Sequence, residues 1–398
     1  MRSIQLPSIR CQSHSRPDSG SVQSLLIALL RGLAALQVTA AHLRAEVFPG
    51  VSELANPPLA YQLLAFATAF SHPAVIVFFL ISGWLVGGSL LDRMGQAGAL
   101  RNYAIDRLTR LWTVLLPALC LMLVIGAVVG AVDATRADLS AANDYSIASF
   151  AGNLIGLQTV VVEPFGGNYA LWSLANETWY YIQFPLLLLM FMGRNRIVQL
   201  AAATALVLSA AILPFPIVLY FLLWLLGAAF SRLRIDCGNA WRAALVATAL
   251  GVAVWFRLFG TVDDLKPGSF GQHLAYSLPL LALLASLHAP VSLRSWPMRA
   301  LARTAHVLSE CSFTLYVMHI PLIVLLRHVG LQEFGRTRLS PFAPGDYAIY
   351  AGMLVAIALL SYVSYLLFES RTFRIRSALK AAIQQRPHSS ATATAASK

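Results

Sequence analysis

Apolar runs of about 20 residues recur from one end of the chain to the other, and they restrict its fold more than any other feature. Of the 398 residues, 58% are hydrophobic and only 12% are charged, whereas a soluble domain carries about 25% charged residues. A run of about 20 apolar residues can cross the hydrocarbon core of a bilayer as a helix. The pattern therefore predicts an all-α, polytopic integral membrane protein that is embedded in the lipid bilayer.

Ten of these runs are long enough to be membrane spans. Two prolines in the stretch LPFP, residues 213–216, end the fifth run and begin the sixth, because proline breaks a helix interior. An arrangement of eight or nine spans with one re-entrant segment remains open. The ten candidate spans are 23–43, 72–91, 112–132, 172–192, 197–213, 215–231, 241–258, 273–289, 310–328 and 347–368.

Lysine and arginine are distributed unevenly between the loops. Most of the 29 Lys and Arg residues lie in the two tails and in alternate loops, whereas the segment 133–171 is acidic. Cytoplasmic loops carry an excess of Lys and Arg. Both termini are therefore predicted to be cytoplasmic and the segment 133–171 extracytoplasmic. This distribution accounts for the net charge of +12 without a nucleic-acid partner.

The chain divides into three predicted regions. Residues 1–21 form a basic cytoplasmic tail, 22–370 a transmembrane domain, and 371–398 a cytoplasmic low-complexity tail with a disordered end. A cleavable signal peptide needs an uninterrupted apolar core, and Arg31 interrupts the first run. The first span is therefore predicted to be an uncleaved anchor.

The first span contains two costly polar residues, in the stretch RGLAALQVTAAH. Because a helix turns about 100° per residue, Arg31 and His42 share one face, about 16 Å apart along the axis. Ala35 and Val38 lie between them on that face, and such small residues allow either a thin passage or close helix packing. One interpretation is a functional axis; the other is that each side chain snorkels toward its own end of the helix.

Small residues in the second span, in the stretch ISGWLVGG, predict close helix packing. After this span come Arg107 and Arg110, which are three residues apart and share one helix face. They are either positive-inside charges at the cytoplasmic boundary or a clamp for phosphate groups, which suit the forked geometry of arginine.

The segment YALWSLANETWYY places Glu177 within a predicted span. Ser173, Glu177 and Tyr181 are spaced at i, i+4 and i+8, so they lie on one helix face. A carboxylate in a span indicates a functional site. Trp172 also suits the aromatic belt found at a membrane interface.

The segment SFTLYVMHIPL carries a second polar face. Ser312, Tyr316 and His319 are spaced at i, i+4 and i+7, which favours a lined cavity. A helix kink at Pro321 with a hydrogen-bonded histidine is the alternative.

Two further carboxylates have separate predictions. Glu46 is predicted to be a solvated external acid, and Glu369 is predicted to form an ion pair facing the basic cytoplasmic tail.

No metal site or disulfide framework is predicted. The chain has four cysteines, and they are scattered without metal-ligand spacing. Sequence signatures of nucleotide-binding P-loops, serine hydrolases and zinc proteases do not occur in the sequence. The four cysteines are Cys11, Cys120, Cys237 and Cys311.

Together and in this order, these segments resemble those of the acyltransferase-3 family of bacterial integral membrane acyltransferases. The resemblance covers about residues 22–370. It differs from the usual family residues at Ala28, Thr113 and Arg371. The matching elements are Arg31-x10-His42, FFxxSGxL at 78–85, Arg107-x-x-Arg110, WSLxxExxxY with Trp172, Ser173, Glu177 and Tyr181, and SxxxYxxHxP with Ser312, Tyr316, His319 and Pro321.

The resemblance implies that an acyl group, usually acetyl, moves from cytosolic acyl-CoA to a hydroxyl of a cell-surface or exported carbohydrate, in some cases lipid-linked. It implies a bacterial inner-membrane enzyme with acyl-CoA as co-substrate and no permanently bound cofactor. The catalytic residues are then His42, as general base, with Arg31 and Glu177, while Arg107 and Arg110 bind CoA. The residues that bind the acceptor or line the cavity are Trp172, Ser173, Tyr181, Ser312, Tyr316 and His319.

Two other interpretations remain open from the residues alone. A proton-coupled transporter or flippase would use Glu177 and His42 as protonation sites. A catalytically silent relative would act as a membrane partner protein. For an enzyme, direct transfer and a covalent acyl-histidine are both compatible with the sequence.

Overall fold

A computed structural model describes residues 7–132, 145–260 and 266–385. Almost all regular structure in these ranges is helical. Two short strands, β1 (Ser8–Cys11) and β2 (Leu233–Asp236), pair with each other. The helices are α1 (Val22–Val47), α2 (Leu59–Ala67), α3 (Ser71–Ser82), α4 (Gly88–Leu91), α5 (Ala99–Val128), α6 (Ile147–Leu154), α7 (Leu171–Met192), α8 (Arg196–Ile212), α9 (Phe215–Phe230), α10 (Asn239–Phe259), α11 (Phe270–Leu284), α12 (Trp296–Phe334), α13 (Pro344–Leu367) and α14 (Thr372–Gln385).

Every predicted span coincides with a helix. A π-helical turn, Gly83–Gly87, joins α3 to α4, and α8 and α9 are shorter apolar helices. The architecture is that of a helical membrane protein, and the count of ten spans stays a prediction. Among the described residues, six stretches are long and apolar enough to cross a membrane by length and composition: Val22–Glu53, Leu59–Leu91, Ala99–Val128, Asn239–Phe259, Trp296–Phe334 and Pro344–Ile383.

Two helices extend beyond the predicted spans. α5 begins at Ala99, so Arg107 and Arg110 lie inside a helix and not in a boundary loop. α12 has 39 residues and is about 58 Å long, well beyond a hydrocarbon core of about 30 Å. Hydropathy detects only the apolar part of such helices, because their polar end turns carry no apolar signal.

Segments with the same predicted sidedness meet at one end of the helices. β1 and β2 are antiparallel, with Ser8 opposite Asp236. The Ser15 hydroxyl donates to Asp92 at 2.8 Å, and Arg232 forms an ion pair with Asp92 at 3.0 Å. The N-terminal tail, the loop after α4 and the loop after α9 therefore lie together.

The opposite end holds segments that were predicted to be extracytoplasmic. The Leu339 N–H donates to the Val47 carbonyl at 2.7 Å. Glu46 is half-buried and forms an ion pair with Arg327 of α12, a partner that the prediction of a solvated acid did not include. Its partner is 281 residues away in the sequence, and only tertiary packing brings the two together.

Parts of three predicted regions lie outside the described residues. They are the start of the N-terminal tail, 1–6, the acidic stretch 133–144 of the predicted external segment, and the end of the C-terminal tail, 386–398. The described part of that tail begins at Arg371, the last residue of the single turn Glu369–Arg371, and continues as α14; its low-complexity assignment stays a prediction.

α1 packs closely along α12. A Cβ atom added at Gly32 would lie 2.5 Å from the Cβ atom of Leu308. Ala35 and Val38 are both fully buried, at 0% exposure. The small residues between Arg31 and His42 therefore serve close helix packing, and they do not line a passage.

The second span packs against α9 as closely as α1 packs against α12. A Cβ atom at Gly83 would lie 1.9 Å from the Trp224 carbonyl oxygen, and one at Gly227 would lie 2.1 Å from the Leu80 carbonyl oxygen. Each backbone occupies the space that a side chain of the other would need. The glycine of the SG pair is thus a packing residue, as predicted.

We expect Gly227→Ala to lower the melting temperature of the detergent-purified protein. The added methyl group must push α9 away from Leu80, and overpacking of this kind costs about 1–3 kcal/mol. Gly251→Ala on α10 is the matched control because nothing lies within 4 Å of its Cβ position. Equal melting temperatures for the two variants would contradict this close packing.

Candidate active site

A cavity of about 860 Å³ opens at the end of the helices that carries the N-terminal tail. Arg16 of the tail, Arg93 of the loop after α4 and Arg376 of α14 lie at its mouth. The cavity extends inward between α1, α3, α5, α7 and α12 to Ser173 and Tyr316. It therefore combines a polar mouth with an interior among the membrane helices.

Positive charge is in excess around this cavity. Asp106 attracts three cations: Arg93 at 3.2 Å, Arg376 at 3.4 Å and Lys380 at 2.6 Å. The excess indicates a ligand with several negative charges. The lining arginines are Arg16, Arg31, Arg93, Arg107, Arg110 and Arg376, and the lining carboxylates are Asp106, Glu177, Glu310 and Glu369.

Arg110 is held by a buried carboxylate. Glu369 is 2% exposed and forms an ion pair with Arg110. Its other oxygen accepts from the Thr314 backbone N–H at 3.2 Å and from the Thr314 hydroxyl. Glu369 does form an ion pair, but its partner is Arg110 of α5 and not the C-terminal tail. The charge of Arg110 is partly neutralised before any ligand binds.

Arg31 and Arg107 keep their charge available. Arg31 donates from Nη2 to the Ser312 hydroxyl at 3.3 Å, and the Arg107 guanidinium lies 5.6 Å from the centre of the Tyr181 ring. In the ranges that the structure describes, neither forms an ion pair with a carboxylate. Guanidinium groups without a carboxylate partner, facing a cavity, are suited to an anionic ligand.

Glu177 ends a chain of hydrogen bonds on the cavity wall. The Tyr181 hydroxyl donates to Glu177 Oε1 at 2.5 Å, and Ser82 Oγ lies 3.3 Å from the Tyr181 hydroxyl. Trp224 Nε1 donates to Ser82 at 3.1 Å. A carboxylate only accepts, so each donor in the chain points toward Glu177. The sequence did not indicate a role at the site for Ser82 or Trp224. A serine beside a glycine, as at Ser82, is common where helices pack closely.

Tyr316 forms the inner wall of the cavity. Its hydroxyl lies 2.6 Å from the Ser173 hydroxyl and 3.2 Å from the Ala170 carbonyl oxygen, to which it donates. The other side of the wall faces a histidine, since the centres of the Tyr316 and His319 rings are 5.7 Å apart.

Behind this wall, His42 and His319 form a pair. His42 Nδ1 lies 2.8 Å from His319 Nε2, and the two ring planes are 24° apart with their centres separated by 5.1 Å. His42 is half-buried, and its ring meets Tyr169 edge-on at 5.1 Å. His319 is fully buried, at 0% exposure.

Two of the residues predicted to bind the acceptor or line the cavity are not among those that line this cavity. His319 contacts His42 and does not line the cavity, and Trp172 packs edge-on against Phe79 with ring centres 6.4 Å apart. Helical spacing assigns a residue to a face of its own helix. It does not determine which neighbour covers that face. The predicted residues that do line the cavity are Arg31, Arg107, Arg110, Ser173, Glu177, Tyr181, Ser312 and Tyr316.

No cluster of three or more His, Cys, Asp or Glu side chains suited to a metal ion occurs among the described residues. All four cysteines are free.

The family model of the acyltransferase-3 acyltransferase domain matches residues 26–368. The chain belongs to the acyltransferase-3 family. No curated protein and no solved structure matches it. The matched range contains both histidines and the cavity residues of α1, α5, α7 and α12. The family predicted from the motifs is thus confirmed, and the chain is a multi-pass membrane protein with an acyltransferase domain.

We expect Glu369→Gln to destabilise this acyltransferase-3 protein by about 3–5 kcal/mol, because it leaves the Arg110 charge without its buried partner. The double variant Glu369→Gln with Arg110→Gln should recover part of that loss, since it removes both charges. Thermal unfolding in detergent measures both effects. The exposed Glu333→Gln on α12 is the control, and an equal loss in the single and double variants would contradict a direct pair.

Proposed function

We propose that this protein transfers an acyl group, acetyl in the first instance, from acyl-CoA to a hydroxyl of a cell-surface or exported carbohydrate at the bacterial inner membrane. One observation carries the proposal. A positively charged cavity ends at Tyr316, and the His42–His319 pair lies directly behind that residue. Such an arrangement suits an acyl donor on one side of a reaction centre and a carbohydrate acceptor on the other.

The donor side is supported by charge and size. Arg31 and Arg107 face the cavity, have no carboxylate partner among the described residues, and can bind the phosphate groups of CoA through their forked donors. The volume of about 860 Å³ lies within the range of about 300–1,000 Å³ typical of small-molecule pockets. Glu177 lies in the same cavity. We therefore assign it to the acyl-CoA side, where its carboxylate accepts hydrogen bonds from the amide N–H groups of the pantetheine arm.

The acceptor side is supported by the position of His42. It lies one turn before Glu46, at the end of α1 opposite the cavity mouth, and it is half-buried. A neutral imidazole is a suitable general base near neutral pH. In the proposed reaction His42 removes the proton of the acceptor hydroxyl, and the oxygen attacks the thioester carbonyl. The new C–O bond forms, the C–S bond breaks, and the proton returns to the leaving thiolate.

Tyr316 and Ser173 separate the two sides. Their hydroxyls are 2.6 Å apart, and the tyrosine ring stands between the cavity and His319. The acyl group has to pass this point to reach His42, whereas the nucleotide of CoA stays at the wide, positively charged mouth. A wall closed by this hydrogen bond favours a small acyl group, and this supports acetyl as the transferred group.

We expect Arg31→Gln and Arg107→Gln each to weaken acetyl-CoA binding by about tenfold to a hundredfold, since a charge-assisted hydrogen bond contributes about 1.5–3 kcal/mol. Thermal shift with acetyl-CoA and transfer of labelled acetyl in proteoliposomes measure the effect. Arg303→Gln is the matched control, because Arg303 is exposed on α12 and does not line the cavity.

We expect His42→Ala to keep acetyl-CoA binding and to lower the transfer rate by about 10²- to 10⁴-fold, because it removes the general base.

Two results would contradict this function. One is full acetyl transfer by a correctly inserted His42→Ala protein. The other is wild-type protein that shows no thermal shift with acetyl-CoA but moves a solute or glycolipid across the proteoliposome membrane. That second result would favour a transporter or flippase.

A further inference from the structure

We infer that His319 is a positioning residue that holds His42 in a single tautomer. In this tautomer the proton of the His42 ring is on Nδ1, and Nε2 carries the free lone pair. The consequence for catalysis rests on the proposed function, whereas the tautomer itself follows from contacts around the two rings.

The first contact concerns the buried histidine. His319 Nδ1 lies 2.6 Å from the backbone carbonyl oxygen of Tyr316. A carbonyl oxygen can only accept a hydrogen bond. His319 Nδ1 must therefore carry a hydrogen and donate it.

The second step concerns the charge of His319. The residue is fully buried, at 0% exposure, and no carboxylate in the described ranges is paired with either ring. An unpaired imidazolium in such surroundings is strongly disfavoured, so His319 is neutral. Because its single N–H is already on Nδ1, its Nε2 is an acceptor.

The third step follows from the contact between the rings. His42 Nδ1 is 2.8 Å from His319 Nε2, and one of the two atoms must donate. Since His319 Nε2 accepts, His42 Nδ1 is the donor. The hydrogen of a neutral His42 is then on Nδ1, and Nε2 is left as the base.

The surrounding structure holds His319 in place. Pro321 has no backbone N–H, so the Val317 carbonyl lacks its usual donor four residues later. Asn168 Nδ2 donates to that carbonyl at 3.1 Å. Tyr316, whose carbonyl oxygen accepts from His319, is itself held by the Ser173 hydroxyl at 2.6 Å. The missing N–H of Pro321 thus leaves a carbonyl of α12 free to accept a hydrogen bond from Asn168, in the segment before α7.

This assignment gives the two histidines different roles. His42 is half-buried and is the member of the pair that can meet an acceptor hydroxyl. His319 acts through His42 by orienting its ring and selecting its tautomer, as a third group does for the base in nucleophile–base arrangements.

Two amide variants separate the hydrogen bonds of His319. In His319→Asn the amide nitrogen takes the place of Nδ1 and keeps the donor to Tyr316, but no acceptor remains for His42. In His319→Gln the amide oxygen takes the place of Nε2 and keeps that acceptor. We expect His319→Gln to retain transfer within about tenfold, and His319→Asn to lower kcat by about 10²-fold or more, with an unchanged KM for acetyl-CoA.

The tautomer is measured directly by NMR of protein labelled with ¹⁵N-histidine, with the His42 signals identified by their loss in His42→Asn. Wild type should show His42 protonated on Nδ1, and His319→Asn should shift it toward the Nε2-protonated form. Wild-type His42 protonated on Nε2, or equal kcat losses in the two amide variants, would overturn the inference. If the tautomer is as inferred but no acetyl transfer occurs, the proposed function fails and the pairing stands.

Discussion

The close packing of α1 along α12 is the contact on which the rest of the site depends. Gly32 lets the two backbones approach, because a Cβ atom there would lie 2.5 Å from Leu308 Cβ. Three polar contacts then follow the same two helices: Arg31 with Ser312, His42 with His319, and Glu46 with Arg327. A shift of either helix would separate the cavity arginine from its hydroxyl partner and the two histidines from each other.

The carboxylates Glu369 and Asp106 compensate some of the positive charge around the cavity, and two arginines are left for a ligand to compensate. Glu369 holds Arg110, and Asp106 holds three cations at the cavity mouth. Arg31 and Arg107 face the cavity without carboxylate partners in the ranges that the structure describes. Unpaired charge away from water costs free energy, and a membrane domain that keeps two such guanidinium groups beside a cavity is suited to an anionic ligand.

Spacing alone could predict which residues share a helix face, but not which residues of other helices lie against that face. Ser173, Glu177 and Tyr181 do share a face that lines the cavity, because helical periodicity is a local property. His319 was assigned to the cavity and Glu46 to solvent, yet each is paired with a residue from a distant part of the chain. The family motifs predict which residues belong to the site, but spacing within a helix cannot indicate contacts between helices.

The sequence by itself determined the helices and the family. Long apolar runs must satisfy their own backbone hydrogen bonds in lipid, so they form helices wherever the chain places them, and every predicted span coincides with one. Only the tertiary structure decided that the cavity ends at Tyr316, and that the histidine of RGLAALQVTAAH meets a second histidine behind it. The physical reason is that a contact between residues 277 positions apart depends on how two helices pack, which no local pattern encodes.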